Sequence, residues 1–184
     1  QRDPSINVDD PTLTPTTGFI TGSPTYSFAF SVAARFLFTG GEDGFIRRFA
    51  FPESVNGQQP MTIGQRPTFM DTIVNAGILK GHWENEQPLF EGEYKFDQQG
   101  TYRPKLSPVY SLAVHSEALW LAAGLESGGI TIQTARHSEG TILSYLDLHR
   151  STVSELVLGP DERTLLSGSW DKVVGYWDLE TGKC

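Results

Sequence analysis

Three stretches of the chain line up without internal gaps. The first is Ser23-Pro24-Thr25-Tyr26-Ser27-Phe28-Ala29-Phe30, which leads to Phe36-Leu37-Phe38-Thr39-Gly40. The second is Ser107-Pro108-Val109-Tyr110-Ser111-Leu112-Ala113-Val114, which leads to Trp120-Leu121-Ala122-Ala123-Gly124. The third is Ser151-Thr152-Val153-Ser154-Glu155-Leu156-Val157-Leu158, which leads to Leu165-Leu166-Ser167-Gly168. From the second residue of each block to its glycine is 16 positions every time: 24 to 40, 108 to 124 and 152 to 168. After each glycine come a polar turn and a further short apolar run, Phe45–Phe49, Gly129–Gln133 and Val173–Trp177. Short apolar runs rich in β-branched and aromatic residues, separated by turn residues, predict an antiparallel meander.

The glycines at 124 and 168 are 44 apart, the length of one propeller blade (~40–45 residues). Those at 40 and 124 are 84 apart, so about 40 residues are inserted between Pro52 and Lys105. Within that stretch, Gly77-Ile78-Leu79-Lys80-Gly81-His82 reads as an outer strand ending in a Gly-His pair. Pro67–Val74 fits either a short helix or a strand. Residues 1–17 are polar and rich in Pro and Thr, which predicts a flexible segment, with Phe19-Ile20 as an edge strand. The organisation expected is an all-β, incomplete propeller over 18–184. It comprises a blade over 18–82 with an insertion at 52–75, an acidic-aromatic loop over 83–106, a blade over 107–148, and a blade over 149–184 cut off before its outer strand. Three blades fall short of the four to eight of a closed ring.

Composition narrows the functional classes. The net charge is −8, the wrong sign for a generic nucleic-acid coat. Arg47-Arg48 is the nearest thing to a basic cluster and reads as a solvated strand face. The lone Cys184 excludes an intrachain disulfide, and no apolar run approaches the ~20 residues that span a bilayer. The histidines at 82, 115, 137 and 149 lack zinc-ligand spacing, so no metal or other cofactor is expected. Gly40-Gly41-Glu42-Asp43-Gly44 is glycine-rich, but a strand follows it and its two acids oppose a phosphate.

The third repeat resembles the WD-repeat family through His149, Leu165-Leu166-Ser167-Gly168-Ser169-Trp170-Asp171 and Tyr176-Trp177-Asp178. That resemblance implies a hydrogen-bonded structural tetrad of His149, Ser167, Asp171 and Trp177. His, Asp and Ser also compose a hydrolase triad. The nucleophile elbow Gly-x-Ser-x-Gly is missing, however, and Ser167 falls within a predicted strand. The other blades depart from the pattern. Blade one keeps Thr39 and Asp43 but has Phe49-Ala50 for Trp-Asp. Blade two has Ser127 for the turn Asp, Gln133-Thr134 for Trp-Asp, and only the distant His82 as its histidine. Apolar packing is expected to hold both.

Within the family, four segments are similar to the WD-repeat subunits of fungal SAGA transcription coactivators, those that engage the TATA-binding protein. They are Gly41–Ile46, Asn75–Leu79, Trp83–Glu86 and Pro108–Glu117. The likeness implies a nuclear, non-enzymatic scaffold that holds the TATA-binding protein and other coactivator subunits, with no sequence-specific nucleic acid and no membrane. The residues offer a contact surface of their own: Glu84, Glu86, Glu91, Glu93 and Asp97 against Lys95, a net of −4, interleaved with Trp83, Phe90, Tyr94 and Phe96. Aromatic anchors among acids suit a basic partner. The alternatives are a propeller adaptor of another complex, such as a ubiquitin-ligase substrate receptor or a histone-peptide reader, and a hydrolase built on His149, Asp171 and Ser167.

Overall fold

The computed structural model describes residues 14–66, 72–88 and 104–184. Among these, the strands run β1 Thr17–Gly18, β2 Thr25–Phe30, β3 Phe36–Gly41, β4 Phe45–Ala50, β5 Asn75–Ala76, β6 Ile78–Glu84, β7 Glu86–Gln87 and β8 Lys105–Leu106. They continue as β9 Ser111–Val114, β10 Trp120–Gly124, β11 Gly129–Thr134, β12 Ile142–Asp147, β13 Val153–Leu158, β14 Thr164–Ser169 and β15 Val174–Asp178. A single α-turn, α1 Phe51–Val55, follows β4 directly, with Pro52 in its first turn.

The strands form three antiparallel meanders: β2-β3-β4-β6, β9-β10-β11-β12 and β13-β14-β15. The repeats therefore fold as blades of an incomplete propeller. Contacts between β2 and β9 and between β9 and β13 set the first strands of the three sheets side by side. Side chains from both faces of the middle sheet are buried, so β10 shows no alternation of buried and exposed positions.

The apolar core lies between sheets rather than within them. Phe38, Ile46 and Trp83 of the first blade pack with Val109, Leu112 and Leu121 of the second. Ala122, Ile130 and Leu146 of the second pack with Val153, Leu156, Leu165 and Trp177 of the third. Each fully buried Leu or Ile contributes about 1.5–3 kcal/mol, which no blade gains alone.

Two of the three repeated glycines have a steric cause. A Cβ on Gly40 would lie 2.4 Å from Val109 Cγ1, and one on Gly124 would lie 2.2 Å from Ser111 Oγ and 2.7 Å from the Val153 carbonyl. The next blade's first strand passes over that spot, and only glycine lets it. Beside each crossing a serine staples the sheets: Ser27 Oγ donates to the Val109 carbonyl at 3.0 Å, and Ser111 Oγ to the Val153 carbonyl at 2.8 Å.

Several sequence expectations need correction. Thr17–Gly18, not Phe19-Ile20, forms the N-terminal strand, and it pairs in parallel with β5. Thr16 at the end of the expected flexible segment accepts from the backbone N–H groups of Val74 and Asn75. Phe19 instead packs edge-on against Phe49 and stacks on Phe51. The first blade's outer strand runs on to Glu84, past the expected limit at 82, because its register with β4 continues to Phe45↔Glu84. Residues 86–87 and 105–106, expected as loop, pair with each other and close the base of the intervening segment.

Candidate functional site

The polar residues singled out by the third repeat meet in one chain of hydrogen bonds. The Trp177 indole N–H donates to Ser167 Oγ at 2.9 Å. Ser167 Oγ lies 2.8 Å from His149 Nε2, and His149 Nδ1 lies 3.1 Å from Asp171 Oδ2. One assignment of protons satisfies every link. Indole donates to hydroxyl, hydroxyl donates to Nε2, and Nδ1–H donates to the carboxylate. β14 and β15 bring Ser167 and Trp177 onto one face of the sheet. The turn between them holds Asp171, which also accepts from the backbone N–H groups of Arg150 and Val173. Desolvation raises the Asp171 pKa, but those two donors and the His149 ring outweigh it and leave the carboxyl below its usual value of 3.8.

Ser167, His149 and Asp171 thus have the connectivity of a catalytic triad. Ser167 is only 1% exposed, however, and its oxygen already accepts from Trp177. A nucleophile needs a path to its substrate, and this hydroxyl is buried between the Trp177 indole and the His149 ring.

The second blade carries a polar network that its sequence did not announce. Gln133, at the position equivalent to Trp177, is fully buried. Its Oε1 accepts from the Trp83 indole at 2.9 Å, while its Nε2 donates to Asn85 Oδ1 and to Thr131 Oγ1, each at 2.8 Å. Asn85 Nδ2 donates to the Ser107 carbonyl at 3.2 Å. The expectation that this blade is held mainly by apolar packing needs an addition. The buried amide of Gln133 demands partners, and beside Thr131 on its own strand it finds them on Trp83, in the first blade's outer strand, and on Asn85 just after it. His82, considered as this blade's histidine, is exposed and lies against the Phe45 ring instead. Among the described residues blade one has no comparable network, and its Thr39 hydroxyl is buried without a partner.

The acidic-aromatic segment divides. Trp83 is 7% exposed and committed to Gln133, so it is withdrawn as a contact residue: its indole faces the inter-blade core. Glu84 is exposed and Glu86 half-buried. Phe90, Glu91, Glu93, Tyr94, Phe96 and Asp97 lie outside the described residues. Arg47 and Arg48 do not form a solvated face either. Arg47 pairs with Asp43. Arg48 bonds Glu139 at 2.6 Å and the Ala135 carbonyl at 2.7 Å, and its guanidinium lies 5.2 Å over the Phe36 ring. It latches the first blade to the second.

Among the described residues no helix is long and apolar enough to cross a membrane, and no group of three His, Cys, Asp or Glu could hold a metal ion.

In solved structures the same architecture recurs. The chain is similar to RRP9 WD40 repeats, at TM-score 0.58 and 18% identity, covering 86% of this chain and 36% of that one. It is also similar to Sqt1 of Chaetomium thermophilum, at TM-score 0.54 and 20% identity, covering 86% and 33%. Those likenesses show the WD-repeat fold. By sequence it is 45% identical over 156 residues to the SAGA complex subunit Spt8 of Schizosaccharomyces pombe. It is 43% identical over 160 residues to the SAGA complex subunit SPT8 of Saccharomyces cerevisiae. In both cases 85% of this chain is covered, and the chain spans 27% of the relative's length. The family model described as SPT8 beta propeller matches residues 13–184, and the chain belongs to that family.

Proposed function

We propose that this chain is part of a non-catalytic interaction subunit of a SAGA-type coactivator in the nucleus, which holds the TATA-binding protein and so regulates transcription by RNA polymerase II. The observation that carries this reading is the 43–45% identity to two SAGA subunits over 85% of the chain. The geometry is in keeping with a scaffold. The Ser-His-Asp chain is closed to substrate, and its hydrogen bonds are used to hold two strands and a turn together.

Glu84, Glu86, Glu91, Glu93 and Asp97 supply the steering charge toward a basic partner, with Phe90, Tyr94 and Phe96 as anchors. The deciding experiment changes the five acids to their amides in the full chain and measures pull-down of the TATA-binding protein. A large loss supports the contact, and undiminished capture removes it. Mass spectrometry of proteins that co-purify with the native subunit separates a coactivator from a ubiquitin-ligase adaptor or a histone-peptide reader. A serine-reactive probe that labelled Ser167 would reinstate the hydrolase.

A further inference from the structure

A row of aromatic side chains crosses the three blades at the end where the turn of Asp171 lies. Tyr26 and Tyr110 stack at 5.0 Å with rings 5° from parallel, and Trp170 meets Tyr110 edge-on at 5.5 Å. These rings are not core. Tyr26 is 43% exposed and Trp170 61%. The backbone contributes to the display: the β2–β3 register skips between Thr25 and Ser27, so Tyr26 occupies a bulge, a device that re-aims a side chain. Beside the tyrosines opens a cavity of about 230 Å³ in which Ser154 and Glu155 face Tyr26 and Tyr110.

The charge around the row has a sign. Glu42 is exposed in the β3–β4 turn and reaches the Tyr26 hydroxyl, which desolvation first and Glu42 second push up in pKa. Glu155, also exposed, lines the cavity. Of the nearby cations, Arg47 is already paired with Asp43. Arg150 and Lys172 flank Asp171 and so enter only at the Trp170 end. We infer that the Tyr26–Tyr110–Trp170 row, rimmed by Glu42 and Glu155, is a docking cradle for an arginine side chain on an extended segment of a basic protein. A guanidinium is planar and weakly hydrated, so it stacks on exposed rings while carboxylates bond its edge. Nucleobases stack on such rings too, but their phosphates would meet the carboxylates of Glu42 and Glu155. The cradle shares no residue with the 84–97 segment and stands or falls independently of the TATA-binding protein.

The test titrates the full chain with a fluorescein-labelled Gly/Ser decapeptide carrying two central arginines, followed by anisotropy. Its citrulline twin has the same shape without the charge. The arginine peptide binds and the citrulline peptide binds at least about tenfold more weakly. Tyr110→Ala and Trp170→Ala each weaken the arginine peptide by about three- to thirtyfold, and Tyr110→Phe retains it. Trp170 is a surface residue, so Trp170→Ala reads binding even if Tyr110→Ala unfolds. Changing Glu42 and Glu155 to Gln flattens the salt dependence. Equal binding of the citrulline peptide, unchanged affinity in Trp170→Ala, or a single-stranded oligonucleotide that binds better than the peptide each overturns the inference.

Discussion

Ser167 is the residue on which the third blade's polar chain turns, because it alone touches both Trp177 and His149. Ser167→Ala leaves the buried indole N–H and the imidazole Nε2 without partners, which costs about 1–3 kcal/mol in a denaturant titration. Trp177→Phe removes the donor as well. The double variant should therefore cost clearly less than the sum of the two single changes, and strict additivity would refute a coupled chain. Asp171 makes the same network sensitive to acid. Its folded pKa is lowered from 3.8, so its contribution is complete above that value and disappears as pH falls through the lower folded value. The stability gap between the native chain and Asp171→Asn should be constant near neutrality and close below about pH 4. A gap that persisted at pH 2 would mean the charge plays no part.

At the scale of the element, the joints between blades are set by close approach and by buried polar groups. Gly128 sits at φ +104°, and a Cβ there would lie 2.2 Å from the His149 carbonyl oxygen. Gly128→Ala should destabilise by at least about 1–3 kcal/mol from backbone strain alone, read as a lower thermal midpoint. Gln133→Leu should cost about 1–3 kcal/mol, because it strands the Trp83 indole and the Asn85 carbonyl oxygen. A neutral Gln133→Leu would show that water or rearrangement satisfies those groups. The strands and their repeat were legible in the sequence because spacing and apolar pattern are local properties. The His149 network was legible through the third repeat's resemblance to the WD-repeat pattern, which implies all four of its residues within that one repeat. The Gln133 network was not. Its partners Trp83 and Asn85 lie some fifty residues upstream beside an insertion, and nothing in a linear pattern brings them to Gln133. Trp83, ringed by acids in the sequence, looks like a surface anchor until the register of β6 on β4 turns it inward.

At the scale of the whole molecule, apolar area is exposed wherever a sheet face has no neighbour among the described residues. Phe28 and Phe30 on β2 and Val174 and Tyr176 on β15 are all exposed. The 184-residue chain alone should self-associate with rising concentration in sedimentation. A monodisperse monomer at high concentration would contradict that. The arrangement of polar networks has a further consequence for how this chain can be divided. The indole and amide that complete the second sheet are carried by the end of the first, so no cut between residues 41 and 107 yields two intact modules. A fragment starting at Ser107 inherits a Gln133 that keeps Thr131 but has lost Trp83 and Asn85. The first two meanders should then melt as one cooperative unit, and any shuffled or circularly permuted version must keep 78–85 joined in space to 129–134, whichever end of the chain it places them on.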